Sequence, residues 1–220
     1  MLQAVDAANS FRSMINALLK ERLEALASSL SLISSSRKSQ LDSLALRAQK
    51  EQADHGIVRF NFICTHNSRR SHIAQLWAWA AASYFQLKDA EFYSSGVEVT
   101  SFNPRAIEAM RRFGFIISHG NGDNPSYKVK LDEHGSSSIC FSKTYDDASN
   151  PKRDFIAVMV CTDAEQNCPF VGGASSRVSL PYTDPKEADN TPQEQETYDN
   201  RVEEIGQEML YLMKQIKALQ

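Results

Sequence analysis

Apolar residues in this chain change their spacing several times, and each change marks an element. From position 1 to about 54 they recur at helical intervals, with Phe11, Met14, Ile15, Leu18, Leu19, Leu26, Leu30 and Ile33 on or near one stripe. Ser34, Ser35 and Ser36 interrupt the stripe, and Leu41, Leu44, Ala45 and Ala48 resume it more weakly. That pattern predicts two antiparallel helices joined at the serines. Ile57, Val58, Phe60, Phe62 and Ile63 then read as a strand over 57–63. Past Ser71 the helical spacing returns through Ile73, Leu76, Trp77, Ala80, Ala81 and Tyr84, predicting a helix over about 71–86. A short strand is expected at 92–95. Asn103-Pro104 then opens a helix, with Asn as cap and Pro in the first turn; it carries Ile107, Met110 and Phe113 and closes at Gly114.

The second half reads in the same way. Residues 127–131 and 139–141 alternate around D-E-H-G and predict a β-hairpin inside a segment, about 120–153. Residues 155–160 form an unbroken apolar run, as a central parallel strand does. A last strand at 177–180 and a closing helix from Thr191-Pro192 complete the order. That helix lays Tyr198, Val202, Ile205, Met209, Leu212 and Ile216 on one face. Strands alternating with helices predict an α/β fold with a parallel sheet. The expected division is a helical extension over 1–54 and one α/β domain over 55–220.

Composition narrows the class. The chain has 220 residues, 42% hydrophobic and 23% charged, enough for one domain with an extension. A net charge of −3 gives no broad field for nucleic acid. No apolar run reaches the ~18 residues that span a bilayer. The first ten residues lack the basic start and apolar core of a secretory signal. A cytoplasmic protein is therefore expected. In that setting its four cysteines argue for catalysis, redox work or metal binding before structural disulfides.

The stretch that concentrates chemistry lies between the first strand and the helix after it. Cys64 is followed after five residues by Arg70 and then Ser71, with Thr65, Asn67 and Ser68 among the residues between. A loop whose N–H groups converge at a helix N-terminus binds anions. Arg70 offers a planar fork of donors matched to two oxygens of a tetrahedral oxyanion. Cys64 shares the positive field, which favours the anionic sulfur that a nucleophile needs, and the Ser71 hydroxyl can donate to it. A cysteine and an arginine at this separation also arise by chance, as a buried Cys beside a surface Arg. Their place between a strand and a helix favours the anion loop.

C-T-H-N-S-R-R-S followed by an Ala/Leu/Trp-rich helix resembles the low-molecular-weight protein tyrosine phosphatase superfamily. Within it the match is to the thioredoxin-coupled arsenate reductases, which typically read C-T-G-N-S-C-R-S. His66 stands where they have glycine, and Arg69 where they have cysteine or a similar residue. S-F-N-P-R-A-I-E-A-M resembles a second segment of those reductases. The resemblance covers about 57–219. It implies a four-stranded parallel sheet with helices on both faces; the N-terminal helices and the hairpin insertion are additions to it. It implies oxyanion binding by Thr65, His66, Asn67, Ser68, Arg69, Arg70 and Ser71. It also implies a general acid at Asp184, in P-Y-T-D-P after the last strand, although an isolated Asp-Pro is by default a turn.

V-C-T-D-A-E-Q-N-C-P, holding Cys161 and Cys168, resembles the redox segment of the same reductases. A zinc pair is the alternative, and it would want two further ligands. Cys140 reads as structural. Gln75 stands where some of these reductases carry a glutamate that helps bind potassium, so neither a metal nor another cofactor is expected. Residues 1–54 are expected to pack on the core or to form a homodimer. Three functional readings follow. In the first, Cys64 reduces arsenate through a Cys64/Cys161/Cys168 disulfide relay that thioredoxin resets. In the second, a phosphomonoesterase uses Cys64, Arg70 and Asp184 through a phosphocysteine. Lys186 and Glu187 stand where tyrosine phosphatases commonly have an aromatic pair, which favours the first. The third is an anion-binding module without turnover.

Overall fold

The computed structural model describes residues 15–167 and 170–220. Helix α1 (Ala17–Ser28) starts at Asn16, whose Oδ1 accepts from the Leu19 N–H at 3.0 Å. A 3-10 turn, Leu30–Leu32, leads to α2 (Ser35–His55). The joint between the two helices runs up to the expected serines but lies mostly before them. Ser34 is the N-cap of α2, accepting from Arg37 N at 3.2 Å, and Ser35 and Ser36 lie inside the first turn. A serine hydroxyl that satisfies an orphan N–H begins a helix as readily as it breaks one. Leu19, Leu23, Leu26, Leu41, Leu44, Ala45 and Ala48 are buried, while Leu18, assigned to the same stripe, is 43% exposed. Phe11 and Met14 lie outside the described residues.

Strand β1 (Val58–Cys64) is followed by α3 (Arg70–Tyr84), β2 (Ala90–Gly96) and α4 (Pro104–Arg112). Then come β3 (Ile116–Ile117), β4 (Tyr127–Lys130), β5 (Ser137–Cys140) and β6 (Phe155–Met159). The chain ends with α5 (Thr162–Asn167), β7 (Ala174–Ser179), a 3-10 turn at Pro185–Ala188 and α6 (Glu194–Ala218). Four parallel strands form the main sheet in the order β2-β1-β6-β7. Successive strand residues point to opposite faces, yet Phe60 through Cys64 and Phe155 through Met159 are all buried. Both faces of the central strands are therefore covered, as the unbroken apolar run of β6 implies; β1 carries Arg59 and the buried Asn61 among its apolar residues.

The expected hairpin is present as β4 and β5, with Tyr127 opposite Cys140. The pattern missed β3, which joins β4 to make a second, three-stranded antiparallel sheet. Two residues are too few to show a period. Helix α6 starts two residues after the Thr191-Pro192 that was expected to open it. It runs against α1, α2, α3 and α4. The approach to α3 is close: a Cβ at Gly206 would lie 2.7 Å from Trp77 Cε2. Trp77 in turn meets Phe115 edge-on at 5.1 Å. Among the described residues no helix is long and apolar enough to cross a membrane.

Candidate active site

Cys64 is the last residue of β1, and Arg70 the first of α3, so the loop 65–69 sits at the carboxyl edge of the sheet. Ligands in open parallel sheets gather at that edge. The loop carbonyls are held from outside. Thr65 O accepts from Val97 N at 2.8 Å and Glu98 N at 2.9 Å. His66 O accepts from Ser142 Oγ at 2.8 Å and Thr100 Oγ1 at 3.1 Å, and Ser68 O accepts from Asn103 N at 2.9 Å. In a trans peptide the N–H points opposite to its C=O. Turning these carbonyls outward turns the next N–H groups, at positions 66, 67 and 69, toward the inside of the loop. Helix α3 also begins without a side-chain cap, leaving its first N–H groups toward the same space. Three segments brace the loop closely enough that Gly96 has no room for a side chain: a Cβ there would lie 2.6 Å from Asn67 N and 2.7 Å from Thr65 O.

Asn67 pins the loop from within. It takes a left-handed φ of +44°, which Asn tolerates better than most residues. Its Oδ1 accepts from the Lys143 backbone N–H at 2.9 Å, which fixes the amide orientation. Nδ2 therefore faces Ser71 Oγ, at 2.8 Å. That contact uses the serine oxygen as acceptor and leaves its proton for Cys64 Sγ, 3.1 Å away. Sequence reasoning placed Asn67 among the anion ligands. In the fold its buried side chain positions the serine that faces the sulfur.

The two arginines part ways. Arg70 turns toward the C-terminal segment, where Nη1 donates to Tyr182 O at 3.0 Å and Nη2 to Asp184 Oδ2 at 2.6 Å. Its Nε is buried with no acceptor among the described residues. Arg69 reaches further out, with Nε to the Tyr198 hydroxyl at 2.7 Å and Nη2 to Asp189 Oδ2 at 3.1 Å. It fastens the far end of the segment that follows Asp184, and leaves only its backbone N–H to the loop. The half-exposed His66 ring lies 3.4 Å from Glu98. Asp184 caps the 3-10 turn, its Oδ1 accepting from Lys186 N at 3.1 Å.

Cys161 follows β6, the neighbour of β1. Its Sγ lies 3.5 Å from Thr65 Oγ1, on the first loop residue, and accepts from Ala164 N at 3.3 Å. Cys168 lies outside the described residues. Cys140 is buried at the end of β5, where burial pushes its thiol up to about 11, a protonated core sulfur. The insertion does more than pack. Ser142 and Lys143 supply two of the contacts that brace the loop, and no pattern in the sequence marked them.

His72, in the first turn of α3, is fully buried and stacked on Phe102 at 4.1 Å, with Nδ1 3.0 Å from Ser94 Oγ. Burial, and then the charge of Lys143, hold its pKa well below the ordinary 6.5. The folded chain keeps the ring neutral while the unfolded chain takes up a proton. Stability should thus be complete above about 6.5 and fall as pH drops below it, by up to ~1.4 kcal/mol per pH unit from this group. Urea midpoints of wild type and His72→Gln between pH 7.5 and 5 check this. The variant should show the shallower acid slope, and parallel curves would refute it.

A second expectation concerns Arg70. Lysine keeps the charge but loses the fork that bridges Tyr182 and Asp184. Arg70→Lys should lose on the order of 10²-fold in rate, ~2.7 kcal/mol, the size seen when one transition-state donor is removed. A near wild-type rate would move the anion contact to another group.

A parallel sheet whose central strand ends in a cysteine-to-arginine loop defines a phosphate-loop α/β protein. No family model matches the chain. The arsenate reductase of Bacillus subtilis (strain 168) is 30% identical over 146 residues, 66% of this chain and 87% of that one. The arsenate reductase of Staphylococcus aureus (strain Newman) is 32% identical over 124 residues, 56% of this chain and 76% of that one. Among solved structures, a low-molecular-weight protein tyrosine phosphatase from Bacillus subtilis aligns with a TM-score of 0.49 at 16% identity, over 73% of this chain and 98% of that one. The thioredoxin-dependent arsenate reductase of Corynebacterium glutamicum aligns with a TM-score of 0.41 at 18% identity, over 92% and 98%. The chain belongs to the family of these arsenate reductases. It is an enzyme.

Proposed function

We propose that this enzyme reduces arsenate to arsenite with Cys64 as nucleophile and passes the resulting disulfide through Cys161 and Cys168 to thioredoxin. The observation that carries this reading is the place of Cys161. Its sulfur lies against the first residue of the anion loop. Phosphomonoester hydrolysis through Cys64 needs no second thiol there. The relatives' activity and the likeness of V-C-T-D-A-E-Q-N-C-P to a reductase redox segment support it further.

Arsenate sits on the loop N–H groups and Arg70, whose unpartnered Nε would gain an acceptor. The Cys64 thiolate displaces one arsenate oxygen, and Asp184, in contact with Arg70, gives that oxygen a proton so that it leaves as water. The Cys161 thiolate attacks Cys64 Sγ. The S–As bond breaks, its electron pair reduces As(V) to As(III), and arsenite departs from a Cys64–Cys161 disulfide. Cys168 attacks Cys161, freeing Cys64 as thiolate and leaving Cys161–Cys168. The thioredoxin dithiol reduces that pair and is itself oxidised. Lys186 and Glu187, exposed on the 3-10 turn after Asp184, offer no aromatic frame for a phosphotyrosine ring.

Arsenite formation with thioredoxin and aryl-phosphate hydrolysis, measured on one preparation, test the reading. Sustained arsenite production is expected. Phosphotyrosine hydrolysis without any arsenite would assign the chain to the phosphatases instead.

A further inference from the structure

We propose that Arg37, on the N-terminal helices, is a positioning residue for the acid-bearing segment: it fixes residues 181–184 and through them the Asp184 carboxyl. The inference rests on the reading of Asp184 as general acid.

Arg37 is oddly placed for its own helix. It lies in the first turn of α2, where no acidic residue stands, and a cation at that end opposes the helix dipole. Its guanidinium is used elsewhere. Nε donates to Glu208 Oε1 on α6 at 2.8 Å, and Nη2 to Pro181 O at 3.2 Å. The guanidinium also lies over the Tyr182 ring, 4.8 Å from its centroid. The second oxygen of Glu208 accepts from the Tyr182 hydroxyl at 2.6 Å. Burial, and then the Glu208 charge, push the Tyr182 phenol well above its ordinary value, so it stays a donor.

Two helices and the segment 181–182 thus meet at one nearly enclosed ion pair, with side-chain exposures of 16% for Arg37 and 6% for Glu208. From there the path to the site is short. The Tyr182 carbonyl accepts from Arg70 Nη1, and Asp184, two residues on, accepts from Nη2. The other end of the segment is tied by Arg69 to Asp189. An enclosed ion pair adds little net stability, whereas the geometry it imposes is specific. Placing a proton donor is a use for that specificity, since a misplacement of about 1 Å can cost 10²-fold in rate.

The test is a double-mutant cycle on the full chain. Arg37→Lys keeps the charge and loses the simultaneous reach to Glu208 and Pro181. It should lower kcat by about tenfold, on whichever of arsenate and phenyl phosphate the wild type turns over, while inhibition by inorganic phosphate changes less than about twofold. Added to Asp184→Asn it should cost less than about a further twofold, because placing an amide that donates no acidic proton gains nothing. An equal tenfold loss in both backgrounds would make Arg37 a general structural residue and overturn the proposal. So would a wild-type rate in Arg37→Lys while Asp184→Asn is impaired. If Asp184→Asn alone keeps the full rate, the acid reading itself fails and this inference falls with it, and that outcome is read on Asp184 without Arg37. Should Arg37→Lys not fold, Arg37→Met/Glu208→Gln removes both charges together and carries the same cycle.

Discussion

Cys64→Ser should abolish turnover of arsenate and of aryl phosphates alike, a loss on the order of 10⁴-fold or more, as when a nucleophile is taken from a site that acts as a unit. Both proposed chemistries begin with the same sulfur, so the variant does not choose between them; it tests the site beneath both. Sulfur at this place is faced by the Ser71 hydroxyl, whose proton is left over once Asn67 has used the oxygen as acceptor. That arrangement aims a hydroxyl donor at Sγ. A serine in its place stays protonated at neutral pH, and a neutral hydroxyl is a poor attacker. The loop N–H groups and Arg70 are untouched, so inorganic phosphate should still raise the melting temperature of the variant, through binding to the folded state alone. Loss of turnover with retained phosphate binding is the expected pair of results. Substantial residual turnover would remove Cys64 from the role, and loss of phosphate binding as well would mean that the substitution had collapsed the loop.

What the sequence disclosed, and what it hid, divides along a physical line. Features set by local pattern were legible. The unbroken run at 155–160 marked β6 because a strand buried on both faces needs apolar residues throughout, and the clustered apolar residues before Cys64 marked β1. Asn103-Pro104 marked the start of α4 because cap and first-turn chemistry are confined to neighbouring residues. The loop between β1 and α3 was placed for the same reason, since its residues are consecutive. Features set by contacts between distant residues were not. Arg37 and Glu208 are far apart in the chain, and Glu208 looks like any glutamate on an amphipathic helix. Ser142 and Lys143, which brace the loop from the insertion, carry no motif. Arg69 is a third case. Its position in the loop suggested a second anion contact, but its guanidinium is spent on Asp189 and Tyr198, residues that only the fold brings near. Short elements escaped for want of length: β3 has two residues, α5 six, and neither completes a recognisable period.

Cys161→Ser and Cys168→Ser should separate reductase from phosphatase by where each one stops. With Cys161→Ser nothing attacks the arsenylated Cys64, so no arsenite should be released. With Cys168→Ser the first exchange still runs, and one equivalent of arsenite per chain should appear before turnover ceases with Cys64 and Cys161 bridged. Hydrolysis of an aryl phosphate, which needs neither, should survive both changes. The strand register sets a condition on the first exchange. Ile63 pairs with Met159, and Val160 N donates to Ile63 O at 2.8 Å, so Cys161 stands one residue beyond the partner of Cys64. One strand spacing and one residue rise put the two backbones about 6 Å apart, within the span of a disulfide. Alternation along a strand, however, sends neighbouring side chains to opposite faces, and the Cys161 sulfur accordingly meets Thr65 rather than Cys64. The attack therefore requires the chain after β6 to turn, which means releasing the Ala164 N–H from Cys161 and opening α5. That opening also frees Glu165, whose carbonyl accepts from Arg177 and whose carboxylate accepts from Ser179, and uncovers the buried Ala164. Hydrogen exchange in 161–167 should accordingly be faster in the bridged Cys168→Ser product than in the reduced protein. If both serine variants reduce arsenate over many turnovers with thioredoxin, the relay is wrong, and the thiol against the loop has some other use.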